Sequence, residues 1–260
     1  MSAALSILLL LLAGDVKATD RGEVLPPEFA GTWEVTRVAV DKQDASHWGF
    51  LPNDPRLLGR TLIMDSVQVQ FEDGKELGCK QSSWQPRQST WGYLFGKGFP
   101  RPPDGGRGPT PSPEDFEVKV AKNERATVYS LCPSSRRGTS RFPADSWVAL
   151  LSSEQLALHY DNQVLLLLQR RPAGAKPTAS FDCAKAASPT EKTICASFDL
   201  ASWDRSVSHA WRAALDRRPQ KQAHLRKAQK EWLRARDACG NKAECIDDLQ
   251  WRRVDELTQE

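Results

Sequence analysis

The sequence predicts a two-domain α+β protein: an N-terminal antiparallel β-barrel followed by a small helical bundle stapled by disulfides. Three observations predict it. Apolar residues alternate with polar ones in short runs up to residue 171, then recur at steps of three and four after residue 181. The join between them, RRPAGAKPTAS, holds Pro172, Gly174 and Pro177 and has no apolar period, as a linker does. The chain carries 6 Cys, an even number, four of them in the helical half. The expected boundaries are a signal peptide over 1–18, a barrel domain over 19–171, a linker over 172–180 and a helical domain over 181–260.

The first segment, MSAALSILLLLLAGDVKATD, is almost wholly apolar from Leu5 to Ala13. That length suits a signal-peptide core and falls short of the roughly 20 residues a membrane-spanning helix needs. Val16-Lys17-Ala18 offers compact residues for cleavage after Ala18, although no Lys or Arg precedes the apolar run. Export implies a periplasmic or secreted protein with no stable membrane insertion once the signal is removed. In that compartment cysteines pair.

Strand patterns follow in order. Gly31 to Asp41 roughly alternates through Trp33, Val35 and Ala39. Val67, Val69 and Phe71 alternate next, and Glu72-Asp73-Gly74 supplies a hairpin turn. Phe116, Val118 and Val120 alternate again, and Lys122-Asn123-Glu124 turns the chain into Ala126 to Tyr129. Trp147 to Leu151, Leu156 to Tyr160 and Val164 to Leu168 complete eight or nine short strands, enough to close a small barrel. Between them Trp84, Trp91, Tyr93, Phe95 and Phe99 precede a Pro/Gly-rich stretch. These aromatics either line a ligand cleft or pack over a barrel mouth. Cys79 and Cys132 are expected to tie two strands, or a strand and a loop.

In the second half, Ser188-Pro189-Thr190-Glu191 is a capping box with proline at the first helical position, so a helix runs from Pro189 to about Cys195. Leu200, Trp203, Val207, Trp211 and Ala214 mark a second helix, and Leu225, Ala228, Trp232, Ala235 and Cys239 a third, ended by Gly240. Cys245, Leu249, Arg252 and Leu257 continue a fourth. Local bridges, Cys183 with Cys195 and Cys239 with Cys245, are the simplest pairing, each contributing roughly 2 to 3 kcal/mol in the chain-entropy model.

Several chemistries find no support. The C-terminal cysteines contain no C-x2-C pair and do not match zinc-finger spacing. The four His residues form no HExxH, and no nucleophile elbow, phosphate loop or dinucleotide fingerprint occurs. The formal net charge is +3, with acids and bases interspersed, and the basic stretch Arg212 to Arg236 reads as solvated helix rather than a nucleic-acid surface. The expectation is a non-catalytic protein with no cofactor, no metal and no nucleic-acid partner.

Two resemblances add to this. Phe29-Ala30-Gly31-Thr32-Trp33 resembles the Gly-x-Trp opening of lipocalin-like (calycin) barrels. That resemblance implies that Arg170 or Arg171 of the last strand packs across the Trp33 ring. The second covers roughly residues 180 to 258. FDCAKAASPTEKTIC, then Leu200, Asp204 and Trp211, then Gln229, Trp232, Arg236 and Cys239, then Cys245, resembles the LprI-type lysozyme-inhibitor domain of exported bacterial proteins. Trp211 stands where that family usually has Tyr. The resemblance implies a binding protein whose partner is lysozyme or another envelope protein. Its candidate binding residues are Glu191, Asp204, Gln229, Trp232 and Arg236, with Trp84 and Trp91 from the aromatic segment. A structural role competes for the same residues: on one helical face Trp is core, and Arg or Gln satisfies the backbone or Asp204. Animal lysozymes are strongly basic, so a partner of net charge +3 needs a local acidic patch to bind one. A carrier of a small molecule or cell-wall fragment through the barrel, or an envelope interaction module, are the alternatives.

Overall fold

A computed structural model describes residues 25–43, 49–72, 79–80, 84–99, 110–131 and 146–260. Among the described residues the N-terminal half forms a nine-stranded antiparallel sheet. Its strands are β1 (Gly31–Val40), β2 (Thr61–Met64), β3 (Gln68–Phe71), β4 (Cys79–Lys80), β5 (Pro86–Thr90), β6 (Arg125–Ser130), β7 (Trp147–Leu150), β8 (Gln155–His159) and β9 (Val164–Arg170). The spatial order is β4-β3-β2-β1-β9-β8-β7-β6-β5, so every neighbour is a sequence neighbour except β1 and β9. The sheet curls into a half-barrel: Phe71 of β3 meets Tyr160, just past β8, at 6.1 Å, and Phe29 meets Tyr129 of β6 at 4.9 Å, in both cases across the concave side. Among the described residues no pairing joins β4 to β5, and a closed barrel goes beyond the observed ladder.

Alternation sorts the side chains onto two buried faces. Leu156, Leu158, Val164, Leu166 and Leu168 face the concave core, while Ala157, Leu165 and Ala149 face the convex side. A bulge between Val35 and Arg37 resets the phase of β1. Trp33 and Val35 point inward before it, Val38 and Val40 after it, and Ala39 lies on the convex side. The rough alternation expected through Trp33, Val35 and Ala39 therefore keeps one phase only up to Val35, and Ala39 falls on the opposite face.

The convex side is covered by a helix that the sequence pattern does not announce. Helix α1 (Trp91–Gly98) is capped by the Thr90 side chain. With a 3-10 turn over Pro113–Phe116 it packs Trp91, Phe95, Phe99 and Phe116 against β6 to β9. The strand expected through Phe116, Val118 and Val120 is this 3-10 turn and an irregular segment, because Pro113 starts a turn and Glu117 sits at φ 56. Val67 is 62% exposed in the turn before β3 rather than in the strand.

The helical half comprises α2 (Pro189–Ala196), α3 (Phe198–Arg217), α4 (Gln222–Asp237) and α5 (Ala243–Gln259). The capping box is present: Ser188 accepts from the Glu191 N–H, and Glu191 accepts from the Ser188 N–H. Cys183 bridges to Cys195 and Cys239 to Cys245, each with Cα atoms 5.7 Å apart. The first bridge ties α2 to a 3-10 turn over Cys183–Lys185, not to a strand. Gly240, at φ +61, ends the turn after α4 as expected. The expected signal peptide, the Asp73-Gly74 turn, Cys132 and the Cys79 side chain lie outside the described residues.

The two halves are packed together. Gly59 and Arg60 bond to the bulged part of β1: the Gly59 N–H donates to the Val35 carbonyl at 2.7 Å, and the Val35 N–H to the Arg60 carbonyl at 2.9 Å. From there the buried Arg60 side chain reaches α3, donating to Ser202 Oγ at 2.7 Å and Ser206 Oγ at 3.0 Å. It lies 3.5 Å over the Trp203 ring and 3.7 Å from an Asp199 carboxylate oxygen. Ser202 Oγ donates to the Gly59 carbonyl at 2.6 Å. Arg205 of α3 pairs with Glu34 of β1 at 2.8 Å, and Arg171 lies 3.8 Å over Phe198.

Candidate functional site

The residues singled out in the sequence fall at three separate places. Trp84 is buried in the concave core, edge-on to Tyr129. Trp91 is buried in the convex core against Phe95 and Trp147. The two do not share a cleft. Of the aromatic segment only Tyr93 is largely exposed, at 59%. The concave face is itself filled by large side chains, Trp33, Phe71, Tyr160 and Leu62 among them.

Arg170 is the basic residue that packs across Trp33, 4.1 Å from the ring centroid. It also donates to the carbonyls of Ala30 (2.8 Å) and Glu28. Trp33 Nε1 donates to the Phe29 carbonyl at 2.9 Å. Arg171 turns the other way, toward the helical half.

In the helical half the motif residues form the internal frame. Asp204, buried on α3, accepts from the Ser180 N–H at 2.7 Å and from Arg236 Nη1 at 3.2 Å. It thereby ties the segment before α2 to α4. Arg236 also pairs with Asp237 at 2.9 Å and lies 5.4 Å from the Trp232 ring centroid. Trp232 Nε1 donates to the Leu249 carbonyl of α5 at 3.1 Å, and Gln229 Oε1 accepts from Arg253 Nε of α5 at 3.1 Å. Only Leu225 and Arg236 are buried on α4. That helix is therefore attached largely by this polar triplet, each member reaching a neighbouring helix. Glu191 is half-buried and completes the cap. Hydrogen bonds from the Ser188 and Ala187 N–H groups hold its carboxyl below the usual glutamate range.

What remains for a partner is the outer surface. Along α5, Glu244, Asp248, Trp251 and Asp255 recur at steps of four, three and four, which puts them on one side of the helix. Glu244 and Asp248 are exposed, Asp255 is half-buried, and Trp251 is 42% exposed. The helix carries five carboxylates, Glu244, Asp247, Asp248, Asp255 and Glu256, against Arg252 and Arg253. Arg253 is buried and turned toward Gln229 and Glu256, and the Arg252–Asp248 pair, at 3.4 Å, is solvent-exposed. The outward side is therefore acidic around a tryptophan, within a chain whose overall charge is +3. The spacing is present in the sequence, but the positions that mark this helix there are Cys245, Leu249, Arg252 and Leu257, of which Leu257 is buried, Cys245 and Leu249 half-buried and Arg252 exposed. Among the described residues no group of three His, Cys, Asp or Glu side chains is placed to hold a metal ion, and no helix is long and apolar enough to cross a membrane.

Fold and surface together define a class: a half-barrel sheet carrying a twice-stapled helical domain, with its recognisable motif spent on internal contacts and an acidic outer helix. Residues 183–257 match the model of the family described as Lysozyme inhibitor LprI. The match covers α2 to α4, all but the last two residues of α5 and both described disulfides, and leaves out α1 and the sheet. No curated protein and no solved structure matches the chain.

Proposed function

We propose that this is an exported, non-catalytic binding protein that inhibits lysozyme, with α5 as the face presented to the enzyme. The observation that carries the reading is the family match over residues 183–257. The acidic side of α5 supplies what a protein of net charge +3 otherwise lacks, a local field complementary to a strongly basic partner. Trp251, amid carboxylates, has the character of an interface anchor: a large rigid apolar area inside a polar rim. Glu191, Asp204, Gln229, Trp232 and Arg236 serve this function by holding the frame. Export fits the two described disulfides, since such bonds persist in oxidising compartments. It makes residues 1–18 a cleaved signal and the protein periplasmic or secreted. The cyclic order of the strands further favours a sheet that closes between β4 and β5 as a lipocalin-like barrel.

The test is muramidase activity of a basic lysozyme titrated with purified mature protein. Inhibition is expected at micromolar concentration and should weaken as salt rises. Trp251→Ala should weaken inhibition by at least about tenfold, as a hot-spot truncation does. Asp248→Lys with Asp255→Lys should act in the same direction by reversing the local field. Absence of inhibition at micromolar excess removes the reading.

A further inference from the structure

We propose that the groove between the two domains binds a small organic anion with an apolar body. The groove opens beside the Arg60 anchor, where the convex face of β1 and helix α3 diverge, and its volume is about 410 Å³. That lies within the roughly 300 to 1,000 Å³ typical of ligand clefts, which favour domain boundaries. Its apolar lining comes from the half-buried Leu58 and Ala179 and the buried Pro55; Val35 borders it too, with its side chain in the concave core. Helix α3 contributes Arg205, His209 and Arg212, spaced by four and three residues along one helical face.

Charge decides which ligand fits. Among the described residues Glu34 is the one acidic residue of the lining, and it is engaged by Arg205 at 2.8 Å. Arg212 bonds only within its own helix, to the Ser208 carbonyl at 3.2 Å and hydroxyl at 3.0 Å, and has no carboxylate partner among the described residues. His209 is exposed on the same side. Internal pairing thus leaves positive charge at the Arg212 end and apolar surface at the Leu58 end. A second cleft of about 200 Å³ shares Glu34, Thr36 and Arg205 and continues toward Arg171 and Lys176, so the Arg205–Glu34 pair divides one cationic furrow into two parts. A ligand whose anionic group meets Arg212 and whose body covers Leu58 and Pro55 satisfies both ends. Because its contacts come from both domains, it binds their docked arrangement and stabilises it by mass action.

The test uses the full chain and two dyes of similar shape. One is the anion 8-anilinonaphthalene-1-sulfonate; the other is uncharged N-phenyl-1-naphthylamine. The expected result is one saturable site with the anion bound about tenfold more tightly. Arg212→Ala should weaken the anion about fivefold and leave the neutral dye unchanged, because the side chain contributes a solvent-exposed charge contact. Ser180→Trp, at the exposed rim of the groove, should block both dyes without moving the thermal transition. Equal affinity for the two dyes, the absence of a saturable site, or anion binding unchanged in Arg212→Ala overturns the proposal. Should Ser180→Trp disturb folding, the Arg212→Ala comparison decides alone. No muramidase enters the measurement, so its outcome is independent of lysozyme inhibition.

Discussion

Gly59 and Arg60 carry more of this structure than their place in a loop suggests. Gly59 sits at φ +80, and a Cβ there would lie 2.7 Å from Ser202 Oγ, so both conformation and space require glycine. Gly59→Ala should cost about 1 to 3 kcal/mol in chemical denaturation. Adding Ser202→Ala should recover the part due to the close contact and leave the part due to φ, which a double-mutant cycle separates. Arg60 loses two hydroxyl partners and the Trp203 stack on truncation, and Arg60→Met should destabilise by about 3 kcal/mol. Arg60→Lys keeps the charge but not the planar fork, and should still lose roughly 1 kcal/mol or more. Neither residue was legible in the sequence. Their partners on α3 lie more than 140 positions away, and nothing in Leu-Gly-Arg-Thr marks a docking point. Local relations were legible for the opposite reason. The Ser188 cap and the two described disulfides join residues within a dozen positions of each other.

At the level of the element, α2 is the segment whose stability depends most directly on one titrating group. Its cap needs Glu191 ionised, and the Glu191 pKa is lowered in the folded chain. The sign follows: the stabilisation is present above the ordinary glutamate range and is lost as pH falls through the lowered folded value. Hydrogen exchange of the first turn of α2 should accelerate in that window, and Glu191→Gln should flatten the pH dependence. Ser188→Ala should cost about 1 kcal/mol at neutral pH. Reducing both described disulfides should lower the stability of the helical half by roughly 2 to 3 kcal/mol each, readable as the difference between thermal transitions with and without reductant. Strands β6 to β9 were readable as short apolar runs bounded by turns, buried on both faces over most of β7 to β9, and α2 to α5 from their caps and the apolar residues recurring along one side. The exceptions have physical causes. Strand β5, Pro-Arg-Gln-Ser-Thr, lies at the end of the sheet with no buried residue, so it shows no alternation. Helix α1 carries three glycines in eight residues and is formed by its aromatic contacts with the sheet, which override propensity. Along α5 the helical spacing was visible, but its acidic side became meaningful only once the structure showed which face looks outward.

For the molecule as a whole, the docked domains should unfold together. Arg60, Ser202, Arg205 and Glu34 connect them through buried and half-buried polar contacts. A single calorimetric transition is expected for the intact chain, and two for Arg60→Met, with the helical half melting independently once released. A single transition in that variant would mean that other contacts suffice to couple the domains. The pairing of β1 with β9 has a further consequence, in time rather than in space. These partners enclose more than a hundred residues of chain, so the sheet cannot complete its central ladder until almost the entire N-terminal half has been synthesised, and loop closure on that scale slows folding. The helical half is made last but bridges over short loops, and it can assemble as soon as it emerges. Arg60 sits in the half with the long-range ladder and its partners on α3, so their contact forms only once both halves are in place.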